Sequence, residues 1–447
     1  MTNYYHLLNL DSQRIICLGG VPGSGKSTIA KEFEKVGYKV FCPDTYRGII
    51  SKTKPNRENW TEAMHESDQA VSSEAWELAY KEANEALKSG FSIVFDAMLQ
   101  TQKARRALFA QFDKNKLPYY SIFSAVEVET AKARNKQRAS AGGRFVPEFV
   151  IDEKWKTQVF PQISEGFTET IVVHNDLLLD RVLDSTTREE LISSIIKNPR
   201  LAISTMREND TLKDFFPSLN ACWGLKQDNV HHNRTLEEHM IKAAELIEDR
   251  SAVAVISTLL HDVGKSRTKE FFVKVIAENE YGFKLGEKLV AVKDNGVAVT
   301  VKSRSYQKMS ESVLLMSLDT IEKDMNAHYY DHDKVGAILA RRDLISLGFD
   351  EKFADDVYAY IVYHMDLPYK PVSKSSMQRL VKKVTPERMP ILFAIRKADK
   401  LSGNTDADFL EDHKKMIEQV EEIVNNPYSK TNKKNNGEEM KCLDIRQ

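Results

Sequence analysis

The first half of the chain carries a glycine-rich stretch whose residue types suit phosphate binding. Residues 20–27, GVPGSGKS, fit the pattern G-x-x-x-x-G-K-[ST] at every fixed position, after an apolar strand pattern over 15–18 and before a helical one. Backbone N–H groups of such a loop surround a phosphate, the lysine reaches the phosphates and the hydroxyl binds Mg²⁺. We therefore predict that ATP and Mg²⁺ bind here. The predicted nucleotide-binding residues are Gly20, Gly23, Ser24, Gly25, Lys26, Ser27 and Thr28, together with Arg134 and Arg138 further along the chain, and Ser27 is also predicted to bind the metal.

Two acidic residues follow predicted strands. Asp44 comes after the short strand pattern of residues 38–41, and Asp96 closes the buried run of residues 92–95. Because ligands gather at the carboxyl ends of parallel strands, both acids should lie near the phosphate loop. Asp44 could take a proton from an attacking hydroxyl while Arg47 holds an acceptor phosphate, but helix capping by Asp44 fits equally well. Asp96 either orients Mg²⁺ or the acceptor, or it caps a turn.

A basic segment follows the strand pattern of residues 119–123. Arg134 and Arg138 lie four residues apart in a helical pattern and therefore share one face. Residues 139–144, ASAGGR, are predicted to form a flexible flap. A cationic flap that closes over ATP would neutralise charge on the transferring phosphoryl group, although a solvated basic face gives the same pattern.

The motifs GVPGSGKST, PDTYR, FDAML and RNKQR followed by VP resemble, in order and spacing, the phage-type 5′-hydroxyl polynucleotide kinases over about residues 14–173. The resemblance implies that Asp44 is the general base on the 5′-hydroxyl, Arg47 binds the acceptor phosphate and Asp96 lies beside the acceptor. It also places Lys26 and Ser27 at the ATP phosphates and metal, with Arg138 on the donor phosphates. The spacer between Arg138 and Pro147 is longer than in that family and contains Arg144, so either arginine is a candidate to complete the lid.

The second half is mostly helical in pattern, and its polar residues are informative. The apolar run of residues 251–260 ends in LLHDVGK. An ionised acid that closes an apolar helix is costly unless it meets a cation, and a metal ion resolves the conflict. A lone histidine in a helix is more often a satisfied core or surface residue, but several occur here. The candidates are His239, His261, Asp262, His332, His364 and Asp399.

The order H, HD, H, H, D with LLHDVGK resembles the HD superfamily of metal-dependent phosphohydrolases over about residues 220–424. HDKVGAILA followed by YIVYHM is similar to the HD domain of bacterial CCA-adding enzymes. The resemblance makes Lys265 a phosphate contact and implies a catalytic metal that activates water. Imidazole and carboxylate ligands suit Mn²⁺, Ni²⁺, Co²⁺, Fe²⁺ or Zn²⁺. The implied first metal ligands are His239, His261, Asp262 and Asp399, with His332 and His364 on a second metal or the substrate phosphate.

The chain is therefore predicted to be multidomain. We expect an α/β P-loop kinase domain over residues 1–176, a helical connector over 177–219, an all-α HD domain over 220–424 and a disordered tail over 425–447. Within the insertion at 266–331, the alternating KLVAVKDNGVAVTVK with an Asn-Gly turn predicts a β-hairpin that either shapes substrate access or is a structural flap.

The composition limits the partners and the cellular location that we expect for this protein. The formal net charge of −1 argues against a uniformly basic surface that coats nucleic acid. No apolar run is long enough to span a membrane and no secretion signal begins the chain, so we expect a cytoplasmic protein without membrane contact. The four scattered cysteines predict reduced thiols.

Together, the two resemblances imply a bifunctional end-healing enzyme. It would phosphorylate 5′-hydroxyl ends of RNA or DNA, RNA being favoured, and remove a 3′-phosphate or a 2′,3′-cyclic phosphate. A K-x-D-G ligase motif is absent from the sequence, so a separate ligase would seal the ends. One alternative is a small-molecule or nucleotide kinase fused to an HD nucleotidase. Another is a nucleotide-gated binding protein that senses RNA ends.

Overall fold

The structure is a computed structural model that describes most of the chain. The strands between residues 271 and 326 are described by their backbone alone. The described residues are 4–51, 70–112, 116–177, 179, 181–228, 234–278, 284–292, 299–300, 323–403 and 408–426.

The N-terminal half is built on a five-stranded parallel sheet of order β2-β3-β1-β4-β5. The strands are β1 Ile15–Gly19, β2 Lys39–Phe41, β3 Ile93–Asp96, β4 Tyr119–Ala125 and β5 Glu169–His174. All five residues of β1 are buried, as expected of a central strand covered on both faces. The register pairs Leu18 with Asp96, so the second predicted acid lies beside the start of the phosphate loop.

Helices connect these strands and confirm the predicted α/β architecture. They are α1 Lys26–Lys35, α2 Pro43–Ile50, α3 Ser72–Lys88, α4 Gln102–Phe112, α5 Val128–Ser140 and α6 Glu148–Lys156, with 3-10 turns at Tyr5–Asn9 and Ile163–Glu165. Pro147 immediately precedes α6, where its fixed φ suits a helix start.

The C-terminal half is helical. Its helices are α7 Ser185–Lys197, α8 Pro199–Glu208, α9 Leu212–Phe215, α10 Pro217–Asn220, α11 Leu236–Leu246, α12 Ala252–Leu260, α13 Lys265–Thr268, α14 His332–Ser346, α15 Glu351–Tyr363, α16 Lys374–Val384, α17 Met389–Ser402 and α18 Phe409–Asn425, with a 3-10 turn at Pro386–Arg388. The segment predicted as a connector supplies α7 to α10. Its Ile195, Ile203 and Phe216 are fully buried in the same core as α11 and α12.

The predicted hairpin forms part of a larger antiparallel sheet of order β8-β7-β6-β9. Its strands are β6 Glu270–Glu278, β7 Lys284–Val292, β8 Val299–Thr300 and β9 Lys323–His328. The predicted Asn295-Gly296 turn lies outside the described residues, as does most of the predicted tail. The fourth strand, β9, was not predicted from sequence; it ends four residues before His332.

One hydrophobic core crosses the boundary between the two halves. The rings of Phe160 and Tyr358 stack at 4.8 Å with an interplanar angle of 6°, and the Tyr358 hydroxyl accepts a 2.8 Å hydrogen bond from the backbone N–H of Phe160. Arg341, which is 1% exposed, donates to His174 Nε2 at 2.7 Å and to Asp355 at 2.6 Å. The halves are therefore joined by packing and buried hydrogen bonds.

Among the described residues, none of the helices combines the length and apolar character that crossing a membrane requires. Cys17, Cys42 and Cys222 are free thiols, as predicted.

Candidate functional site

The phosphate loop turns directly into α1. Gly25, at φ +98°, precedes the helix, and Lys26 is its first residue. The Lys26 ammonium donates to the backbone oxygens of Gly20 and Val21 at 2.9 and 3.0 Å. Burial lowers the pKa of Lys26, and the carboxylates of Asp96 and Asp44 oppose that shift. A bound phosphate could therefore replace two carbonyl oxygens as the partner of this lysine.

Side chains at the ends of β4 and β5 hold the loop in shape. The backbone oxygen of Ser24 accepts hydrogen bonds from Ser124 Oγ at 2.6 Å and from Asn175 Nδ2 at 2.8 Å. A Cβ on Gly20 would lie 2.4 Å from the Ser124 backbone oxygen, so only glycine fits there. Neither Ser124 nor Asn175 was identified from the sequence, although both follow the rule that polar residues at the carboxyl ends of parallel strands face the ligand.

Ser27 and Asp96 meet beside the loop. Ser27 Oγ donates to Asp96 Oδ2 at 3.3 Å, and Asp96 is 4% exposed. Burial raises the pKa of Asp96, whereas Lys26 and the Ser27 hydroxyl lower it. Hydroxyl and carboxylate oxygens are suitable Mg²⁺ ligands, so this pair fits a magnesium ion. The remaining predicted loop residue, Thr28, lies in the first turn of α1.

Asp44 is held between two guanidinium groups. Its Oδ1 accepts from Arg47 Nη1 and its Oδ2 from Arg144 Nη1, each at 2.6 Å. Partial burial raises the pKa of Asp44, but Arg144 and Arg47 outweigh it, so the net pKa is lowered. The alternative role as a helix cap finds no support, because the N-cap of α2 is Cys42 and no side-chain capping bond forms.

The flap is fastened to α5 by a buried asparagine. Asn135 is fully buried, donates to the Val146 backbone oxygen at 2.8 Å and accepts from the Val146 N–H at 3.1 Å. Arg138 also donates to Asn135 Oδ1, at 2.9 Å. Burial and Arg144 lower the pKa of Arg138, while Asp44 raises it. Arg134 donates to the Asn175 backbone oxygen at 3.2 Å. Sequence reasoning missed Asn135.

Four histidines of the C-terminal half are oriented through Nδ1. His261, His332 and His364 bond the backbone oxygens of Thr258, Tyr329 and Ile361 at 2.7, 2.6 and 2.6 Å. A carbonyl oxygen only accepts, so Nδ1 of these three histidines carries a proton, and Nε2 is the nitrogen left to bind a metal once it has lost any proton of its own. His239 Nδ1 contacts Ser402 Oγ at 2.8 Å.

The Nε2 atoms converge on Asp262. Its Oδ2 lies 3.4 Å from His239 Nε2 and 3.3 Å from His261 Nε2. Its Oδ1 lies 3.3 Å from His332 Nε2 and 3.8 Å from His364 Nε2. Asp399 Oδ1 closes the first group, 3.1 Å from His239 Nε2. Asp262 therefore belongs to two potential metal sites, one on each carboxylate oxygen.

Opposing effects set the charges of this cluster. Burial lowers the pKa of His261, but Asp262 and Asp399 outweigh it and raise that pKa to about 10, so a metal that binds there must displace a proton from this imidazole. Burial and the neighbouring His332 lower the pKa of His364 to about 3, which keeps its imidazole neutral. Burial opposes ionisation of Asp262, but His261 and Lys265 outweigh it and hold its pKa well below the usual range. The Nε2 atoms of His261 and His364 are buried and make no hydrogen bond within the described part of the chain.

Two further residues, Gln227 and Gly264, shape this cluster and were not identified from the sequence. Lys265 Nζ lies 2.7 Å from Asp262 Oδ2 and 3.1 Å from Gln227 Oε1, and Gln227 is 2% exposed. A Cβ on Gly264 would lie 2.1 Å from the His332 backbone oxygen, so the glycine lets α14 approach Asp262. Gly264 is the glycine of the LLHDVGK motif, so the sequence did contain a signal for this close approach.

These features define a P-loop α/β domain followed by a helical region with a histidine–aspartate cluster. A family described as an AAA domain matches residues 15–160, about a third of the chain. The Multifunctional CCA protein of Hahella chejuensis (strain KCTC 2396) is 29% identical over 117 residues, which cover 24% of this chain and 28% of that protein. The match thus spans little more than a quarter of that relative.

Two of the solved structures that match this chain show low sequence identity and low TM-scores. The Pnkp1/Rnl/Hen1 RNA repair complex is 18% identical over 33% of this chain and 44% of that chain, with a TM-score of 0.26. A gluconokinase from Sinorhizobium meliloti 1021 is 18% identical over 37% and 84% of the two chains, with a TM-score of 0.25. With values this low, neither structure assigns an activity to this chain.

Proposed function

We propose that the protein heals nucleic-acid ends with two separate sites. The P-loop domain transfers the γ-phosphoryl group of ATP to a 5′-hydroxyl, and the histidine–aspartate cluster removes a 3′-phosphate or opens a 2′,3′-cyclic phosphate. The observation that carries this proposal is the position of Asp262, which faces one pair of histidines with each carboxylate oxygen in a chain that also has a phosphate loop. RNA ends are the favoured substrate, and a separate ligase would act afterwards.

In the kinase step, each polar group has one task. Lys26 binds the ATP phosphates, while Ser27 and Asp96 hold Mg²⁺. Asp44 accepts the proton of the attacking 5′-hydroxyl, and Arg47 binds the acceptor phosphate. Arg144 closes from the flap and Arg138 from the last turn of α5 onto the transferring group, and Arg134 supports the nucleotide side. The matched AAA domain family over residues 15–160 supports nucleotide binding by this half.

In the hydrolytic step, the first metal group is His239, His261, Asp262 and Asp399, and the second is Asp262, His332 and His364. A metal held there would polarise the phosphate and supply activated water. Lys265 lies on Asp262 and can shift to a substrate phosphate when metal neutralises the carboxylate. A partial match to a multifunctional CCA protein agrees with the expected similarity to CCA-adding enzymes.

One incubation tests both halves. The protein is mixed with ATP, Mg²⁺, Mn²⁺ and an RNA that has a 5′-hydroxyl and a 2′,3′-cyclic phosphate, and both termini are analysed by mass. The 5′ end is expected to gain a phosphate, and the 3′ end either to gain one water, as the cyclic phosphate opens, or to lose its phosphate altogether. The same assay is run in parallel with free nucleosides and nucleotides as substrates. Turnover of these alone would support the nucleotide kinase and nucleotidase alternative, and binding without turnover would support the RNA-end sensor.

A further inference from the structure

An arginine of the C-terminal half bridges two carboxylates of the N-terminal half. Arg342, on α14, donates from Nη1 to Asp176 Oδ1 at 2.8 Å, and its Nε lies 3.2 Å from Glu127 Oε1. The side chains of Arg342 and Asp176 are only 12% and 8% exposed, so salt and water screen this ion pair weakly. We propose that Arg342 is a positioning residue of the nucleotide site and keeps the phosphate loop in the shape that binds ATP. The inference rests on the proposed function, because it concerns the ATP that the kinase step uses.

Asp176 holds the chain just after β5. Its Oδ2 accepts from the backbone N–H of Glu127 at 2.7 Å while its Oδ1 accepts from Arg342, so both carboxylate oxygens are bonded. The preceding residue, Asn175, donates from Nδ2 to the Ser24 backbone oxygen at 2.8 Å. Arg342 therefore fixes the segment from which Asn175 reaches the phosphate loop.

Glu127 lies on the other side of the loop, because it is the N-cap residue of α5. A Cβ on Gly23 would lie 2.2 Å from the Ala131 backbone oxygen, so the first turn of this helix packs directly on the phosphate loop. Arg267 of α13 donates to the second Glu127 oxygen at 2.8 Å, which anchors the start of α5 to the C-terminal half a second time. The phosphate loop thus lies between two segments that Arg342 joins.

The Ser24 carbonyl matters because it shares a peptide group with the Gly25 N–H. A peptide group is planar, and in the trans form its C=O and N–H point in opposite directions. Ser124 and Asn175 bond the Ser24 oxygen at 2.6 and 2.8 Å, so they also set the direction of the Gly25 N–H. Backbone N–H groups are what a loop of this type uses to surround a phosphate. A shift of the segment after β5 would turn this donor away from the phosphate.

Calorimetric titration of Arg342→Ala with Mg²⁺ and the non-hydrolysable ATP analogue AMP-PNP tests the inference in the full-length protein. Without the shared guanidinium, the two carboxylates repel each other and the segment after β5 loses one of its contacts with α14. Loss of one well-directed N–H contact should raise the Kd of AMP-PNP about three- to tenfold. In the kinase assay, KM for ATP should rise by a similar factor, while kcat changes by less than about twofold.

Arg200→Ala is the matched control. Arg200 also bridges two carboxylates, those of Glu238 and Glu245, but both lie within the C-terminal half. Its removal should leave the Kd of AMP-PNP unchanged. Arg342→Lys keeps the charge without the planar guanidinium fork, so it should give an intermediate Kd, and it serves as the test if Arg342→Ala does not fold.

A double variant separates positioning from general destabilisation. Asn175→Ala alone should raise the Kd of AMP-PNP, because the Ser24 oxygen loses one of its partners. Since Arg342 acts partly through Asn175, the two changes together should weaken binding by less than the product of their single effects. The melting temperature of each variant is measured on the same samples. A lower melting temperature with an unchanged Kd would show that Arg342 serves only stability.

The outcomes separate the two proposals. Equal Kd values for Arg342→Ala and Arg200→Ala, or effects of Arg342→Ala and Asn175→Ala that multiply fully, would overturn the positioning role. If wild-type protein then still phosphorylates 5′-hydroxyl RNA, the proposed function stands. A raised Kd in Arg342→Ala, with no phosphorylation of RNA by wild-type protein, would support the positioning role and reject the kinase proposal. Wild-type protein that binds no AMP-PNP would reject both.

Discussion

Arg144 Nη1 lies 2.6 Å from Asp44 Oδ2, so the flap rests on the carboxylate that we propose as the general base. The γ-phosphate of ATP carries more negative charge than one carboxylate. We therefore expect Arg144 to move to ATP and to free Asp44 for the acceptor hydroxyl, while Arg47 stays on the other oxygen.

Arg144→Ala should change the pH dependence of phosphorylation. Arg144 lowers the pKa of Asp44, so its removal raises that pKa and shifts the acidic limb of kcat/KM for the 5′-hydroxyl substrate to higher pH. The same variant should lose kcat by about ten- to a thousandfold if Arg144 also contacts the phosphoryl group. Arg138→Ala is the comparison, and an acidic limb that shifts only in Arg138→Ala would assign the lid role to Arg138.

Asp44→Asn should abolish the kinase activity and leave hydrolysis of 3′-phosphates unchanged. An amide cannot accept the proton of the attacking hydroxyl, and general-base catalysis is worth roughly 10²–10⁴-fold. Both activities are measured on one preparation by end-labelling and phosphate release. Loss of both activities in this variant, with an unchanged melting temperature, would contradict independent sites.

His332→Ala should lower the metal content without emptying the cluster. The described ligands form two groups that share Asp262, so wild-type protein should hold two ions per chain and His332→Ala one. Asp262→Asn touches both groups and should lower the content further, with loss of hydrolysis but not of kinase activity. Mass-spectrometric metal analysis after dialysis against Mn²⁺ provides the measurement. An unchanged stoichiometry in both variants would place the metals elsewhere.

Asp343→Asn should stabilise the protein at alkaline pH. Burial raises the pKa of Asp343 to about 7, although Ser218 N–H and Oγ donate to its Oδ2. A folded-state pKa above the unfolded value makes stability highest below the unfolded pKa, and stability is lost as pH rises toward about 7. The amide keeps an acceptor oxygen but has no charge, so its advantage over wild type should reach a few kcal/mol at most at pH 8 and be smaller at pH 5. Urea unfolding at both pH values measures this difference, and parallel pH profiles would contradict the assignment.

Tyr358→Phe should weaken the interface between the halves. The change deletes the acceptor of the buried Phe160 N–H, which costs about 1–3 kcal/mol when no water replaces it. Tyr360→Phe on the same helix is the control and should change stability by less than about 0.5 kcal/mol. Because one core spans both halves, chemical denaturation should show both unfolding together. A separate early transition of one half would argue against a shared core.

The sequence predicted the elements better than their contacts. The strand, loop and helix around Lys26 follow from apolar runs and glycines at fixed spacing, because these features act locally. The hairpin was predicted from alternation, but the pairing of β9 with β6 was not, because that partner comes from a strand some fifty residues away. Ser124, Asn175 and Gln227 were missed for the same reason, since their partners Ser24 and Lys265 lie 100, 151 and 38 residues away in sequence.

By itself, the sequence determined which groups are present: a phosphate loop, acids after strands, spaced arginines, and histidines and aspartates in helices. The AAA domain match and the parallel sheet confirm the α/β half and its phosphate loop, while the roles of the site residues stay predictions. Only the tertiary structure shows that Arg144 contacts Asp44 and that each carboxylate oxygen of Asp262 faces a different pair of histidines. Only the tertiary structure shows that the predicted connector packs into the same core as the C-terminal helices. Packing decides such distances, because side chains far apart in sequence meet only when buried surfaces fit together.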